Sequence, residues 1–295
     1  MTIKILSWFK SIFKRPHPDG PFEVFYKNGQ LQSKGNYKDG QREGPFESCH
    51  ENGQLESKGI FKDGAEDQLW ERYHENGQLK FKGNYTNGKM DGLQHWFHKN
   101  GHLRERQTYK DGKNDGVWEF FYENDQLKST GIYRDGKRNG PFEIFYMNGG
   151  LRSKGNHQDD QREGPYESYH ENGQLESRGT TVGGKKNGPW EAFHENGQLE
   201  SKGSYAGGKQ EGPWETFHEN GELKSRGSFT GDKREGPFEE YCENGRLKVK
   251  ENYKSGKQDG LYESYDENGQ LKTRGAFKNG VLDGPYELYI DGVLQ

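Results

Sequence analysis

Aromatic and leucine positions along this chain recur every 24 residues, each set between glycines and short polar stretches. Gly-Pro-aromatic-Glu begins at Gly20, Gly44, Gly140, Gly164, Gly188, Gly212, Gly236 and Gly284; Gly92, Gly116 and Gly260 keep the register with Leu or Val in place of Pro. Gln68 alone breaks the glycine column. Twelve units therefore run through residues 20–295 without insertion, the last one short. Each unit carries two turn signals twelve residues apart: Asn-Gly, as at Asn28-Gly29, then Asp-Gly or a relative, as at Asp39-Gly40. Such dipeptides favour type I′ hairpin turns, whose two central residues need positive φ. The stretches between turns suit strands of about 5 to 8 residues, and the absence of a 3.6-residue period excludes helix. The expected fold is all-β: an elongated, solenoid-like antiparallel β-meander, one sheet layer thick, with two strands per 24-residue hairpin repeat and some 23 or 24 strands in all.

Register follows from the first turn. If Asn28-Gly29 is a two-residue loop, Tyr26 faces Leu31, Glu23 faces Lys34 and Phe22 faces Gly35. The Glu23 column is Glu in eleven of twelve units, with His95 the exception, and the Lys34 column is Lys or Arg in ten of eleven. Opposite charges directly across a strand pair contribute roughly 0.2–1 kcal/mol each, which pins a register that glycine-rich strands specify weakly. Aromatics face glycine with equal regularity, as Trp118 with Gly131, Trp190 with Gly203 and Trp214 with Gly227. A ring over glycine covers backbone that lacks a side chain of its own. Parity puts the Phe22 column and Leu31 on one face and the Phe25 column on the other. Either both faces carry aromatic rows, or a bulge near Pro21 shifts the strand.

Composition changes this picture little. Leu, Ile, Val and Phe make up about 16% of the 295 residues, below the level of ordinary globular chains, and mean hydropathy is −1.33. A net charge of only −4 and 14% aromatic residues nevertheless oppose disorder. In a repeat array each unit need only cover its neighbour.

The Gly-x-aromatic-x-x-aromatic strand, the Asn-Gly-x-Leu turn and the Gly-x-aromatic second hairpin resemble the variant form of the MORN (membrane occupation and recognition nexus) repeat over residues 20–295. The Tyr-x-Gly-x-Trp strand of the standard unit is absent. The resemblance implies stacked hairpins in a curved single-layer sheet. It also implies binding of a protein partner or association with a membrane rather than catalysis; in bacteria such arrays look like antitoxin components of toxin–antitoxin modules.

Six of ten histidines share one column: His50, His74, His98, His170, His194 and His218. Metal ligation needs donors converging at about 2 Å on one ion, whereas column neighbours stand two strands, roughly 9–10 Å, apart. A half-exposed ring packing on the next repeat is the expected role; a share in a binding face is the alternative. The Glu column has basic partners and uniform surroundings, unlike catalytic carboxylates. No nucleophile elbow, HExxH or phosphate loop is present. No catalytic, metal or cofactor-binding residue is expected, and the chain is not expected to be an enzyme. Nucleic acid is disfavoured because the repeats carry 39 basic against 47 acidic residues. Cys49 and Cys242 lie eight repeats apart and fit a reducing compartment.

Residues 1–19 belong to no repeat. Over residues 1–15, Ile5, Leu6, Trp8, Phe9, Ile12 and Phe13 share one side of a helical wheel, with Lys4, Lys10, Lys14 and Arg15 on the other. A short basic amphipathic helix suits an in-plane membrane anchor through Trp8, Phe9, Lys10, Phe13, Lys14 and Arg15, or a cap on the first hairpin. It is too short to span a bilayer and lacks a signal-peptide cleavage site. A cytoplasmic location, peripheral to a membrane if the helix anchors, is the expectation. The expected function is protein binding of an antitoxin or immunity type, in which the sheet occludes a toxin. The alternative is a membrane-anchored scaffold. Specificity is assigned to the variable column of Val24, Ser48, Arg72, Trp96, Phe120 and so on to Leu288. The candidate partner face is Trp96, Phe120, His170, His194 and His218, and end strands offer an edge for homo-oligomers.

Overall fold

The computed structural model describes residues 18–290 and 293–295. The helix expected over residues 1–15 lies outside the described residues, and so do the six anchor candidates Trp8, Phe9, Lys10, Phe13, Lys14 and Arg15. Among the described residues there are thirty strands and no helix, joined in an antiparallel, solenoid-like meander. The described residues form two compact units, one reaching Gln126 and including Arg134–Gly136, the other made of Leu127–Tyr133 and the residues from Lys137 onward.

The two turns of a repeat differ. At the second, Asp39 (φ 52°) and Gly40 (φ 75°) are both left-handed and Lys38 pairs with Gln41, as a type I′ turn requires. At the first, only Gly29 is left-handed, at φ 84°. The Gly29 N–H donates to the Tyr26 carbonyl at 3.0 Å and the Tyr26 N–H to the Gln30 carbonyl at 2.8 Å. That is a three-residue loop, a tight turn followed by a left-handed glycine, in place of the two-residue loop the dipeptide predicts. Asn28 explains the choice. Its Oδ1 accepts the Gln30 N–H at 3.0 Å while its Nδ2 donates to the Glu51 carbonyl of the next repeat at 3.0 Å. Phe25, not Tyr26, consequently stands opposite Leu31. A bulge at Gln32 absorbs the one-residue offset, so Glu23 meets Lys34 and Phe22 meets Gly35 as expected.

A second bulge sits where the Gly-Pro dipeptide recurs. Between Lys58↔Glu71 and Ile60↔Asp67 one strand carries two extra residues, Gln68 and Leu69. Gln68, alone in the glycine column, adopts φ 59° and so keeps the left-handed conformation of Gly188 (φ 78°) and Gly212 (φ 75°). Two extra residues restore parity, so this bulge changes no face. In six strands it interrupts the ladder and splits one strand into two segments, as in Gln41–Arg42 and Gly44–Cys49. This is why the segments number thirty. Both faces carry aromatic rows, and Leu31 belongs with Phe25, on the face of the Glu and Lys columns.

The other, aromatic face holds the buried rings. In the first unit Phe46, Phe61, Trp70, Phe81 and Tyr85 form a cluster against which Phe22, Met90 and Trp96 pack. Burying each such side chain is worth about 1.5–3 kcal/mol. Gln94 replaces the column's ring here and is fully buried. Phe81, in a row of serines, and Trp96 restore the lost volume, their ring centroids 5.3 Å apart. In the second unit Phe142, Trp190, Trp214 and Phe238 are the buried aromatics. Trp190 and Trp214 stand opposite Gly203 and Gly227 in the backbone register as expected. Their rings, however, lean the other way, over Gly179 and Gly203 of the preceding strands.

Candidate functional site

On the aromatic face of the second unit the columns create a groove of about 660 Å³. Its floor is the serine row, Ser153, Ser177 and Ser201, next to Ser168 and Ala192 of the variable column. Serine and alanine leave depth there because their side chains are short. The hydroxyls bond to one another across the strands, Ser168 to Ser177 at 2.7 Å and Thr216 to Ser225 at 2.6 Å. One wall is aromatic and cationic. Lys186 Nζ lies 4.2 Å from the centroid of Trp190 and 5.0 Å from that of Tyr205, and the Arg162 guanidinium lies 5.0 Å from Tyr166. Burial pushes the Lys186 ammonium below its ordinary pKa. Glu176 and Glu200 line the groove as acids. A row of hydroxyls, rings and fixed cations suits recognition of a polar, extended surface.

The opposite face is taken up by ion pairs. Lys34 reaches Glu47 at 2.8 Å, Lys154 reaches Glu167 at 2.9 Å and Lys202 reaches Glu215 at 2.8 Å. These bonds run from one hairpin to the next rather than to the register partner inside the hairpin, so the ladder ties repeats together. Exposed pairs of this kind contribute about 0–1 kcal/mol each.

Ten stretches of the chain match the MORN repeat variant: residues 18–39, 42–63, 69–87, 90–111, 114–135, 162–182, 186–206, 210–230, 234–255 and 258–279. The chain belongs to the MORN repeat variant family. Within this MORN array the segment between the fifth and sixth matches folds as the same hairpin, Gly140–Phe145 against Leu151–Gln158. No curated protein matches the chain. Among solved structures, TcdB2-TccC3 aligns over 93% of this chain and 17% of its own, at 11% identity and a TM-score of 0.20. The Tc holotoxin pore of Photorhabdus luminescens aligns over 92% of this chain and 15% of its own, at 14% identity and a TM-score of 0.20. The chain thus spans about a sixth of the length of the solved chains it matches.

The MORN hairpins place the candidate partner residues in two groups. Trp96 and Phe120 lie on the aromatic face of the first unit, half-buried. His170, His194 and His218 lie on the first-turn edge of the second unit, each bound to the next repeat: Nε2 is 2.8 Å from the Phe193 carbonyl, 3.0 Å from that of Phe217 and 3.0 Å from that of Tyr241. Tyr146 donates the equivalent bond to Tyr169 at 2.8 Å. The equivalence gives a test. His194→Ala is expected to cost about 1 kcal/mol, the worth of one such bond, and His194→Tyr close to nothing, as read by urea denaturation. Equal losses in both would remove the tie.

Sequence reasoning missed the cations Arg162, Lys186 and Arg234, because nothing in the repeat marks which charges turn toward rings. It also missed His157, which takes the place of Tyr or Phe in its column and packs tilted against Phe142, ring centroids 4.3 Å apart. Burial, reinforced by Arg138 and Arg162, pushes its imidazole down to about 4, so it is neutral at pH 7. Among the described residues no group of three His, Cys, Asp or Glu side chains gathers as a metal site would need. Cys49 and Cys242 are free thiols.

Proposed function

We propose that this chain is a non-enzymatic binding protein of the antitoxin or immunity type, acting in the cytoplasm, whose aromatic face covers a protein partner and blocks its active site. MORN repeats are commonly protein- or membrane-binding, which supports a binding role. The observation that carries the reading is the contrast between faces. The charged face spends its Lys and Glu on ties between repeats. The aromatic face instead presents a grooved floor beside the column whose residue changes from unit to unit. Such variation on a regular scaffold is how a repeat array encodes a particular partner.

The test is affinity purification of the tagged full chain from its own host, followed by expression of the recovered protein alone and together with this chain. A stoichiometric partner whose toxicity is suppressed by co-expression supports the reading; toxicity that co-expression leaves unchanged overturns it. The basic amphipathic pattern of residues 1–15 favours a second reading, a membrane-associated scaffold. Flotation of the full chain with anionic vesicles, lost when Trp8 and Phe9 are both replaced by serine, would support it.

A further inference from the structure

Glu105 is the one acid in the serine row, which elsewhere holds Ser, Thr, Val or Phe. Its strand, Leu103–Lys110, lies between Gly92–Phe97 and Lys113–Phe121. Glu105 is the direct register partner of Trp96 on one side and of Phe120 on the other. Directly opposed residues share a face, so its carboxylate stands between two rings whose strands are about 9.6 Å apart. Trp96 and Phe120 are also the only aromatics of the variable column. Both are braced by other rings, Trp96 by Phe81 of the preceding strand at 5.3 Å and by Tyr109 of Glu105's own strand at 6.1 Å, Phe120 by Trp118 of its own strand at 5.4 Å.

Glu105 is half-buried, and burial pushes its carboxyl above the usual range. Among the described residues its carboxylate has no hydrogen bond or ion pair, and Arg104, next in the chain, is exposed and unbridged to it. The same face shows what such a carboxylate takes elsewhere. Arg72, one repeat earlier, lies 4.9 Å from the centroid of Phe81 and 5.5 Å from that of Tyr85. Its guanidinium donates to both oxygens of Glu66 at 2.7 and 2.8 Å. Arg234 lies 3.8 Å from the Phe238 centroid and 5.1 Å from that of Tyr253, with Glu251 at 3.5 Å. Twice the aromatic face closes an arginine between rings and a carboxylate. At Glu105 the rings and the carboxylate are present without the arginine.

We infer that Trp96, Glu105 and Phe120 form a receptor for an arginine side chain of the protein partner. The inference rests on the binding role proposed above and names the chemistry of one contact in it. The strands of Trp96 and Phe120 each run about 4.8 Å from that of Glu105, within the roughly 6 Å over which a ring attracts a cation. The flat guanidinium stacks on a ring while its edge meets a carboxylate, which an ammonium does less well. Charge complementarity comes from the Glu105 carboxylate, which holds no cation among the described residues.

The probe is the peptide acetyl-Gly-Arg-Gly-amide, titrated into the isotope-labelled full chain and followed by NMR. The Trp96 indole, assigned through Trp96→Phe, is expected to shift with a dissociation constant in the millimolar range. Citrulline in place of arginine, or Glu105→Ser in the protein, is expected to weaken binding by about fivefold or more. Glu105→Ser installs the ordinary residue of its row, so its melting temperature is expected to equal or exceed that of the parent. Glu240→Gln, an acid of the variable column in the second unit, is expected to change nothing. An unshifted Trp96 indole, or equal binding by citrulline or by Glu105→Ser, overturns the receptor. If Glu105→Ser retains the purified partner at full affinity, the receptor fails while the binding role stands. If the arginine peptide binds as expected but no partner is found, the receptor stands and the binding role fails.

Discussion

Gly203→Ala is expected to destabilise the second unit by about 3 kcal/mol, although it adds a single methyl group in a sheet that is largely open to water. A Cβ at Gly203 would lie 1.8 Å from Trp214 Cε3 and 2.4 Å from two further atoms of the indole. No φ of Gly203 stands in the way, since it is absent from the left-handed residues; the clash alone decides. Trp214 is 8% exposed and is held edge-on by Tyr205 at 5.2 Å. The ring must leave its place or push the strands apart. Overpacking costs about 1–3 kcal/mol and loss of a buried Trp about 3–5 kcal/mol, which brackets the figure. The column itself carries a side chain at Gln107, opposite Trp118, and there the ring packs on Phe120 at 5.4 Å. Thr216, the corresponding neighbour of Trp214, offers no ring. The measurement is hydrogen exchange over Leu199–Phe217 together with urea denaturation. Trp214→Ala combined with Gly203→Ala should cost clearly less than the two single losses together, because the methyl then enters vacated space. Full additivity would mean that the ring and the glycine do not meet.

The repeat made most of the fold legible and concealed its local geometry for definite reasons. Glu23 against Lys34 and Phe22 against Gly35 could be read because charge and size repeat in matched columns. The three-residue loop at Gly29 could not, because the bulge at Gln32 cancels its offset and leaves every distant pair unchanged. A two-residue loop without a bulge gives the same register at Glu23, so column pairing cannot tell them apart. Only the pair nearest the turn, Phe25 with Leu31, separates the two, and it moves Leu31 to the other face. The lean of Trp190 over Gly179 rather than Gly203 was hidden by symmetry. Trp190 has a glycine on both neighbouring strands, and side-chain torsion selects one. Of the candidate site, Trp96 and Phe120 could be read as members of the column that varies from unit to unit. Glu105 is a clear departure from its own row, but its meaning depends on two strands that lie on either side of it.

These ties make a repeat array a sum of neighbour contacts, and the ties do not weigh the same. Lys34–Glu47 is a single exposed pair, whereas Glu71 gathers three donors. Its carboxylate accepts from Lys58 at 2.8 Å, from the Tyr73 hydroxyl at 2.8 Å and from Lys82 at 3.0 Å. Its side chain is 15% exposed against 42% for Glu47, so water screens it less. The hydrogen bond from Lys58 is the largest cause, helped by Tyr73 and Lys82 against the opposing effect of burial, and together they bring the carboxyl down to about 2. In the unfolded chain a glutamate titrates near 4.3. The folded state therefore holds its proton less tightly than the unfolded state, and the ionised carboxylate stabilises the fold at every pH above the unfolded value. That contribution is about 2–3 kcal/mol by linkage, and it fades as the pH falls from about 4.3 through 2. Glu71→Gln is expected to cost this amount at pH 7, with Lys58 and Lys82 left without their acceptor. At pH 2, where the folded carboxyl is half protonated, the gap between variant and parent should have shrunk to under about 0.5 kcal/mol. Glu47→Gln, at the exposed pair, should cost under about 1 kcal/mol at pH 7. A gap between Glu71→Gln and the parent that persists unchanged from pH 7 to pH 2 would mean that the loss comes from packing, and that the three-donor cluster contributes nothing through its charge.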